Sequence, residues 1–188
     1  MKLKILATAL GAVALSSCGS ADDGAGEMTN DLVVAESNLA SESGAALAFP
    51  AQGFVDAVAG SDLYEIESGK IAQEKATAAD LKTFGAMLVA DHTRSSEQLK
   101  AAAAQVTPAP TVPAAMPADL TAKLASLRAA SGEEFDRLFV EQQTEAHRQA
   151  LDTLRAYASG GDQQPLREFA ATAQPVVEAH LNQLTSRE

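Results

Sequence analysis

The chain has 188 residues, the length of one domain plus an export segment, and alanine supplies much of its apolar content. It contains no tryptophan and few aromatic residues, a composition that favours closely packed helices over a β-sandwich or barrel. Acidic residues outnumber basic ones by 25 to 14, and this negative charge argues against nucleic acid as a partner.

The first twenty residues, MKLKILATALGAVALSSCGS, have the layout of a secretory signal peptide. Lys2 and Lys4 form a basic start, an apolar stretch follows, and small residues precede Cys18. The run Leu15–Cys18 resembles a bacterial lipobox, in which the cysteine becomes the lipid-bearing first residue. The sequence therefore predicts a lipoprotein signal peptide over residues 1–17 and lipidation at Cys18. The alternative is an ordinary signal peptide, cleaved nearby, in which Cys18 has no role.

A lipid anchor would account for Cys18, which is the only cysteine of the chain and cannot form an intramolecular disulfide. Each buried acyl methylene contributes about 0.8 kcal/mol, so several chains would hold the protein on a membrane. Gly19 follows the cysteine, where an aspartate would resemble a signal for retention in the inner membrane. In a Gram-negative cell, the predicted location is therefore the periplasmic face of the outer membrane.

The composition changes near Pro50. Residues 18–50 are rich in Gly, Ser, Ala, Asp and Glu and predict a flexible tether, because they cannot bury enough apolar surface to order the chain. From residue 51 to residue 188, apolar residues recur with the helical period and predict a single domain.

Four long helices are predicted in this domain. They cover about 51–74, 78–105, 133–159 and Pro165 to near the C-terminus. Four prolines in VTPAPTVPAAMP predict an extended connection between the second and third long helices, followed by a short helix at about 119–130. A proline-motif ligand is the alternative for this segment. The predicted fold is an all-α, ferritin-like four-helix bundle with a long connection that contains a short extra helix.

Each long helix carries a polar residue among the apolar residues of its predicted inner stripe. These residues are Glu65, His92, His147 and His180. At a rise of 1.5 Å per residue, Glu65 and His92 lie at one height below their shared turn, and the other two lie near the middle of their helices. We therefore predict that all four side chains meet in one layer. The same stripes include Ser61 in the first helix and Val176 in the fourth.

Two main interpretations of this layer remain open. Buried histidines commonly hydrogen-bond their neighbours, and a carboxylate would satisfy the ring donors, so the layer would be part of a binding or structural module. Alternatively, neutral imidazoles and one carboxylate would bind a divalent ion such as Zn²⁺ or Cu²⁺, or an iron ion, with redox activity as one outcome. Outward-facing or unpaired rings and capture of a small apolar ligand between helices are further alternatives.

Some activities are disfavoured. No residues resemble a nucleophile with its base, and no glycine-rich phosphate loop is present, so the sequence favours a protein that is not an enzyme. A coupled di-iron site would need Glu-x-x-His pairs, which are missing. Glu145 and Glu178 stand two residues before a histidine and are therefore predicted to face solvent.

Four segments of the chain resemble the bacterial family known as domain of unknown function 4142. They are FVDAVAGSDLYEIESGKIA, LKTFGAMLVADHTRSSEQL, SGEEFDRLFVEQQTEAH and LREFAATAQPVVEAHLNQL. The resemblance covers about Phe54 to Leu184 and implies an exported, ferritin-like helical protein, often membrane-associated, with no settled activity. It supports attention to the three histidines and does not choose between metal binding and hydrogen bonding.

Overall fold

The computed structural model describes residues 50–187. Every secondary-structure element in this range is a helix. The helices are α1 (Ala51–Lys75), α2 (Ala79–Ala103), α3 (Ala118–Ala129), α4 (Gly132–Gly160) and α5 (Gln164–Thr185). The all-α prediction is confirmed, and each predicted helix lies within about two residues of an observed one. The signal peptide, the lipidation at Cys18 and the tether were predicted for residues that lie outside the described range.

The long helices form a four-helix bundle. α1 and α2 form one hairpin, α4 and α5 form another, and the hairpins meet through α1 against α4 and α2 against α5. Along α1 and α4 the contacts run in opposite order, because Phe54 stacks on Tyr157 while Thr77 hydrogen-bonds Asp136. α2 and α4 therefore run in the same direction, and the long connection with α3 returns along the bundle, a direction that the sequence left open.

Asp136 fixes the start of α2 from a different hairpin. Its carboxylate accepts hydrogen bonds from the backbone N–H of Thr77 at 2.9 Å and of Ala78 at 3.1 Å, and also from the Thr77 hydroxyl. Both amides stand immediately before α2, which begins at Ala79, so α4 supplies the acceptor that holds the chain where it enters the helix. The bond also holds the two hairpins in register.

Gly69 of α1 and Gly85 of α2 allow these two helices to approach closely. A Cβ atom added to either residue would lie 2.6 Å from the carbonyl oxygen of the other. Real Cβ atoms do not come this close to oxygen, so any side chain at either position would push the helices apart. The pair thus sets the spacing of α1 and α2 at this point of the first hairpin.

A layer of buried polar residues divides the apolar core into two clusters. One cluster contains Phe54, Leu99, Tyr157, Leu166 and Phe169, and the other contains Tyr64, Phe84, Leu88, Phe135, Phe139 and Leu184. The buried polar residues are Asp62, Glu65, Ser68, His92, Gln142, Gln143, Thr144, His147 and His180. None of the described helices is long and apolar enough to cross a membrane.

At two positions, the predicted inner stripe names the residue one place before the one that is buried. In α1 the buried residue is Asp62 and Ser61 is only half-buried, while in α5 Val177 is buried and Val176 is 40% exposed. Both errors have the same cause, since steps of three and of four residues each fit a period of 3.6 and the order of the steps was chosen incorrectly.

Candidate metal centre

Three histidines from three helices meet inside the bundle. His92 of α2, His147 of α4 and His180 of α5 are all buried, and one ring nitrogen of each lies within 4.8 Å of the other two. Their ring centroids are 5.3 to 5.8 Å apart. The structure therefore brings the three predicted histidines into one layer.

In each ring, one nitrogen is already bonded to an acceptor on the outside of the cluster. The three bonds are His92 Nδ1 to Asp62 at 2.8 Å, His147 Nδ1 to the carbonyl of Gln143 at 2.8 Å, and His180 Nε2 to Asp91 at 3.1 Å. Carbonyl and carboxylate oxygens only accept hydrogen bonds, so these ring nitrogens carry the protons. The other nitrogen of each neutral ring carries a lone pair.

These lone pairs point towards the interior of the cluster. His147 Nε2 lies 3.2 Å from His180 Nδ1, and His92 Nε2 is buried with no hydrogen-bond partner among the described residues. When all three rings are neutral, as metal binding requires, they have three protons in total, and the three outward bonds use all of them. The inner nitrogens are therefore an electron-rich group, and a cation between them would satisfy all three.

Burial keeps two of the rings in the form that binds metals. It lowers the pKa of His147 to about 3, with a further decrease from the charge of His92, and it also lowers the pKa of His180, against the hydrogen bond to Asp91. Burial opposes a charge on His92 too, but the hydrogen bond to Asp62 and the nearby Glu65 outweigh it and raise the pKa of His92. His147 is thus neutral at physiological pH and presents a free lone pair.

Glu65 is buried in the same layer but is not one of the converging groups. Its Oε1 atom lies 3.9 Å from His147 Nδ1, the nitrogen that already donates to a carbonyl, and its Oε2 atom has no hydrogen-bond partner among the described residues. Burial raises the pKa of Glu65 to about 7, against the attraction of His92. The predicted fourth ligand therefore lies beside the centre, on the outer side of one ring.

Two carboxylates at the centre were not predicted from the sequence. Asp62 accepts hydrogen bonds from His92 and, at 3.2 Å, from the hydroxyl of Ser96, while Asp91 bonds His180. A signal for Asp62 was present, because it stands three residues before Glu65 and so shares its helix face.

Glu145 and Glu178 are exposed, as predicted from their spacing to the histidines. Glu145 pairs with Lys123 at 2.7 Å and Glu178 with Arg155 at 3.3 Å, both outside the core. They are therefore not available as ligands for an ion held by the rings.

The geometry of the three inner nitrogens fits a transition-metal ion. An ion bound tetrahedrally at about 2.0–2.1 Å from each nitrogen needs nitrogens about 3.3 Å apart. The His147 and His180 nitrogens are already at 3.2 Å, and the remaining separations, within 4.8 Å, would have to close by at most about 1.5 Å. A ring fixed by an acceptor on its outer nitrogen is the usual arrangement of a histidine ligand.

Residues 36–186 match a protein family described as Domain of unknown function (DUF4142). The chain belongs to this family. No curated protein matches the sequence of this DUF4142 protein. Its fold is similar to that of a solved structure titled "CopM in the Cu(II)-bound form", with a TM-score of 0.62, 19% identity and coverage of 74% of this chain and 96% of that chain. At this identity, the similarity shows a shared helical-bundle fold.

Proposed function

We propose that this protein binds one divalent transition-metal ion inside the bundle through His92 Nε2, His147 Nε2 and His180 Nδ1. The observation that supports the proposal most directly is the orientation of the rings. All three inner nitrogens face one another, and all three outer nitrogens have an acceptor. A histidine whose only role is structural does not need this arrangement in three rings at once.

Copper(II) and zinc are the ions that the ligands fit best. Imidazole nitrogens suit both, and Cu²⁺ binds a given nitrogen site more tightly than Zn²⁺. The similar fold whose title names a Cu(II)-bound form adds weight to copper. Asp62, Asp91 and Glu65 lie around the rings and would balance the charge of a divalent ion, which a buried site requires.

The second candidate is a purely structural polar layer. The contact between His147 and His180 at 3.2 Å would then be a hydrogen bond. That bond needs a fourth proton, in addition to the three donated to the outer acceptors. Because burial lowers the pKa of both rings, neither ring readily takes up this extra proton. The structural layer is therefore the weaker candidate, although it predicts a measurable outcome of its own.

We also propose that the protein is located in the cell envelope. Its support is the sequence, in which a signal-peptide layout ends at a lipobox-like Leu15–Cys18 and Gly19 follows the cysteine. We propose that the bundle is held by lipid at Cys18 on the periplasmic face of the outer membrane, where a bound ion would come from the periplasm.

Elemental analysis tests the metal site. Protein purified without a chelator or an affinity tag would be loaded with Cu²⁺ or Zn²⁺, desalted and compared with the variants His92→Gln, His147→Gln and His180→Gln. The chain has only three histidines, so no other imidazole contributes background binding. Gln142→Asn is the matched control, because Gln142 lies in the same layer but bonds Tyr64 and Ser126.

We expect about one ion per chain in the wild type and in Gln142→Asn, and a large loss in each histidine variant. A wild-type protein that retains neither ion would disprove the metal proposal. If the histidine variants then also melt at lower temperature, the structural polar layer is the correct interpretation.

A further inference from the structure

A cavity of about 440 Å³ lies between the helices and reaches the histidine centre. Its lining includes the buried apolar residues Val58, Leu154, Phe169 and Val177, and also His92 and Asp62. Binding sites for small molecules have this size and this character, with mainly apolar walls and a few polar groups. The cavity therefore extends to one of the three histidines.

Small side chains open the cavity at two sides of the bundle. Ala57 of α1 and Ala150 of α4 line it where the two hairpins meet on one side, and Ser95 of α2 and Ala173 of α5 line it on the other. Val176 also lines it. Among the described residues, Val176 is the large hydrophobic residue that is exposed, with 40% of its surface accessible. An apolar surface at the entrance of a cavity is typical of a ligand site.

We propose that this cavity binds a small, uncharged molecule with an apolar body and one nitrogen or oxygen donor atom, which occupies an open position on the metal ion. The inference depends on the proposed function, since the donor atom needs an ion to bind. It adds to that function a ligand class and a place for the ligand.

The open position follows from the ligand set. Within the described residues, the group that converges on one point consists of the three histidines, and it includes no carboxylate. Zn²⁺ and Cu²⁺ take four or more ligands, so an ion held by three nitrogens keeps at least one position for a molecule from outside. His92 is a proposed ligand and also lines the cavity, although its Nε2 atom is shielded from solvent, and we place the open position on this side of the ion.

The charges around the cavity determine which molecules it admits. Asp62, Asp91 and Asp119 line it, and among the described lining residues Arg94 is the one arginine or lysine. Arg94 is already paired with Asp91 at 3.1 Å. The net negative lining repels anions, and the apolar inner wall disfavours strongly hydrated cations, so an uncharged molecule fits best.

The helix that forms one side of the entrance is weakened there. Pro175 lies inside α5, next to Val176, and has no N–H to donate to the carbonyl one turn earlier. Proline is a common cause of bends in helices, and this one lies at the entrance of the cavity.

Spectroscopy of the Co²⁺-loaded protein tests the inference. Ethylpyridine is the neutral probe, and isonicotinate is an anionic probe with the same ring nitrogen. Ala150→Leu and Ala57→Leu narrow the cavity from two different helices. Ala156→Leu is the matched control, because Ala156 is exposed on α4 and does not line the cavity. Metal content and melting temperature are measured for every variant.

We expect ethylpyridine to shift the visible absorption of the bound Co²⁺ and isonicotinate to bind at least about tenfold more weakly. Leucine at position 150 or 57 should weaken ethylpyridine binding by about tenfold or more, and Ala156→Leu should leave it unchanged. Bound Co²⁺ with a spectrum that ethylpyridine does not alter would overturn this inference and leave the metal site standing. Failure to bind Co²⁺ would overturn this inference, and the metal site itself is decided separately by whether the protein retains Cu²⁺ or Zn²⁺.

Discussion

Asp62 Oδ1 accepts a 2.8 Å hydrogen bond from His92 Nδ1, and both side chains are almost fully buried. The bond fixes the orientation of the ring and keeps the proton on Nδ1, so Nε2 faces the other two histidines. Asp62 does not bind the proposed ion itself. It holds His92 in the tautomer in which Nε2 is free to bind an ion. Its negative charge also increases the basicity of the ring.

Asp62→Asn should therefore weaken metal binding without abolishing it. An amide oxygen can still accept the bond from His92, but the charge is lost, and such outer partners change metal affinity by about 10-fold to 100-fold. Asp62→Ala should give the larger loss, since neither charge nor acceptor remains. The measurement is competition with a coloured chelator at fixed pH.

Asp56→Asn is the matched control for this experiment. It makes the same change in α1, at an exposed aspartate that bonds Gln52. We expect its metal affinity to equal that of the wild type. Equal affinities for all three variants would show that Asp62 has no effect on the ion.

The sequence was sufficient for the helices and for the convergence of the histidines, because both depend on spacing along the chain. It could not distinguish Asp62 from Ser61, since a rotation of one residue fits the period equally well. It also placed Glu65 among the ligands, because residue spacing does not define which side of a histidine ring a neighbour contacts. The acceptor for His147 is the backbone carbonyl of Gln143. Every residue has such a carbonyl, so no residue type in the sequence indicates this bond.

Asp136→Asn should destabilise the fold in a way that depends on pH. Burial alone would raise the pKa of Asp136, but the hydrogen bonds from Thr77 and Ala78 outweigh it and lower the pKa. A carboxylate whose pKa is lowered in the folded state stabilises the fold at pH values above its unfolded pKa. This stabilisation is lost as the pH falls through the folded pKa. We expect a cost of about 1 kcal/mol near neutral pH.

Urea unfolding over a series of pH values checks this prediction. The difference in unfolding free energy between the wild type and Asp136→Asn should decrease as the solution becomes acidic. Asp152→Asn is the control, because Asp152 is exposed on the same helix and has no hydrogen bond of this kind. A difference that stays constant from neutral to acidic pH would show that the charge of Asp136 does not stabilise the start of α2.

Cys18→Ala should release the protein from the membrane. Without a thiol at this position no acyl chain can be attached. The measurement is fractionation of the cell envelope, together with the mass of the purified protein. Ser20→Ala is the control and should stay with the outer membrane. A Cys18→Ala variant that remains there would contradict the proposed anchor.

Gly85→Ala should destabilise the bundle by about 1–3 kcal/mol, because its new Cβ atom would lie 2.6 Å from the carbonyl oxygen of Gly69. The helices would have to separate next to the polar layer, so the loss should exceed any gain from the helix propensity of alanine. Gly53→Ala provides the comparison, since a Cβ atom there meets nothing within 4 Å. It should leave stability unchanged or raise it by up to about 1 kcal/mol. If both variants unfold at the same urea concentration, the close approach of α1 and α2 is not what requires glycine at position 85.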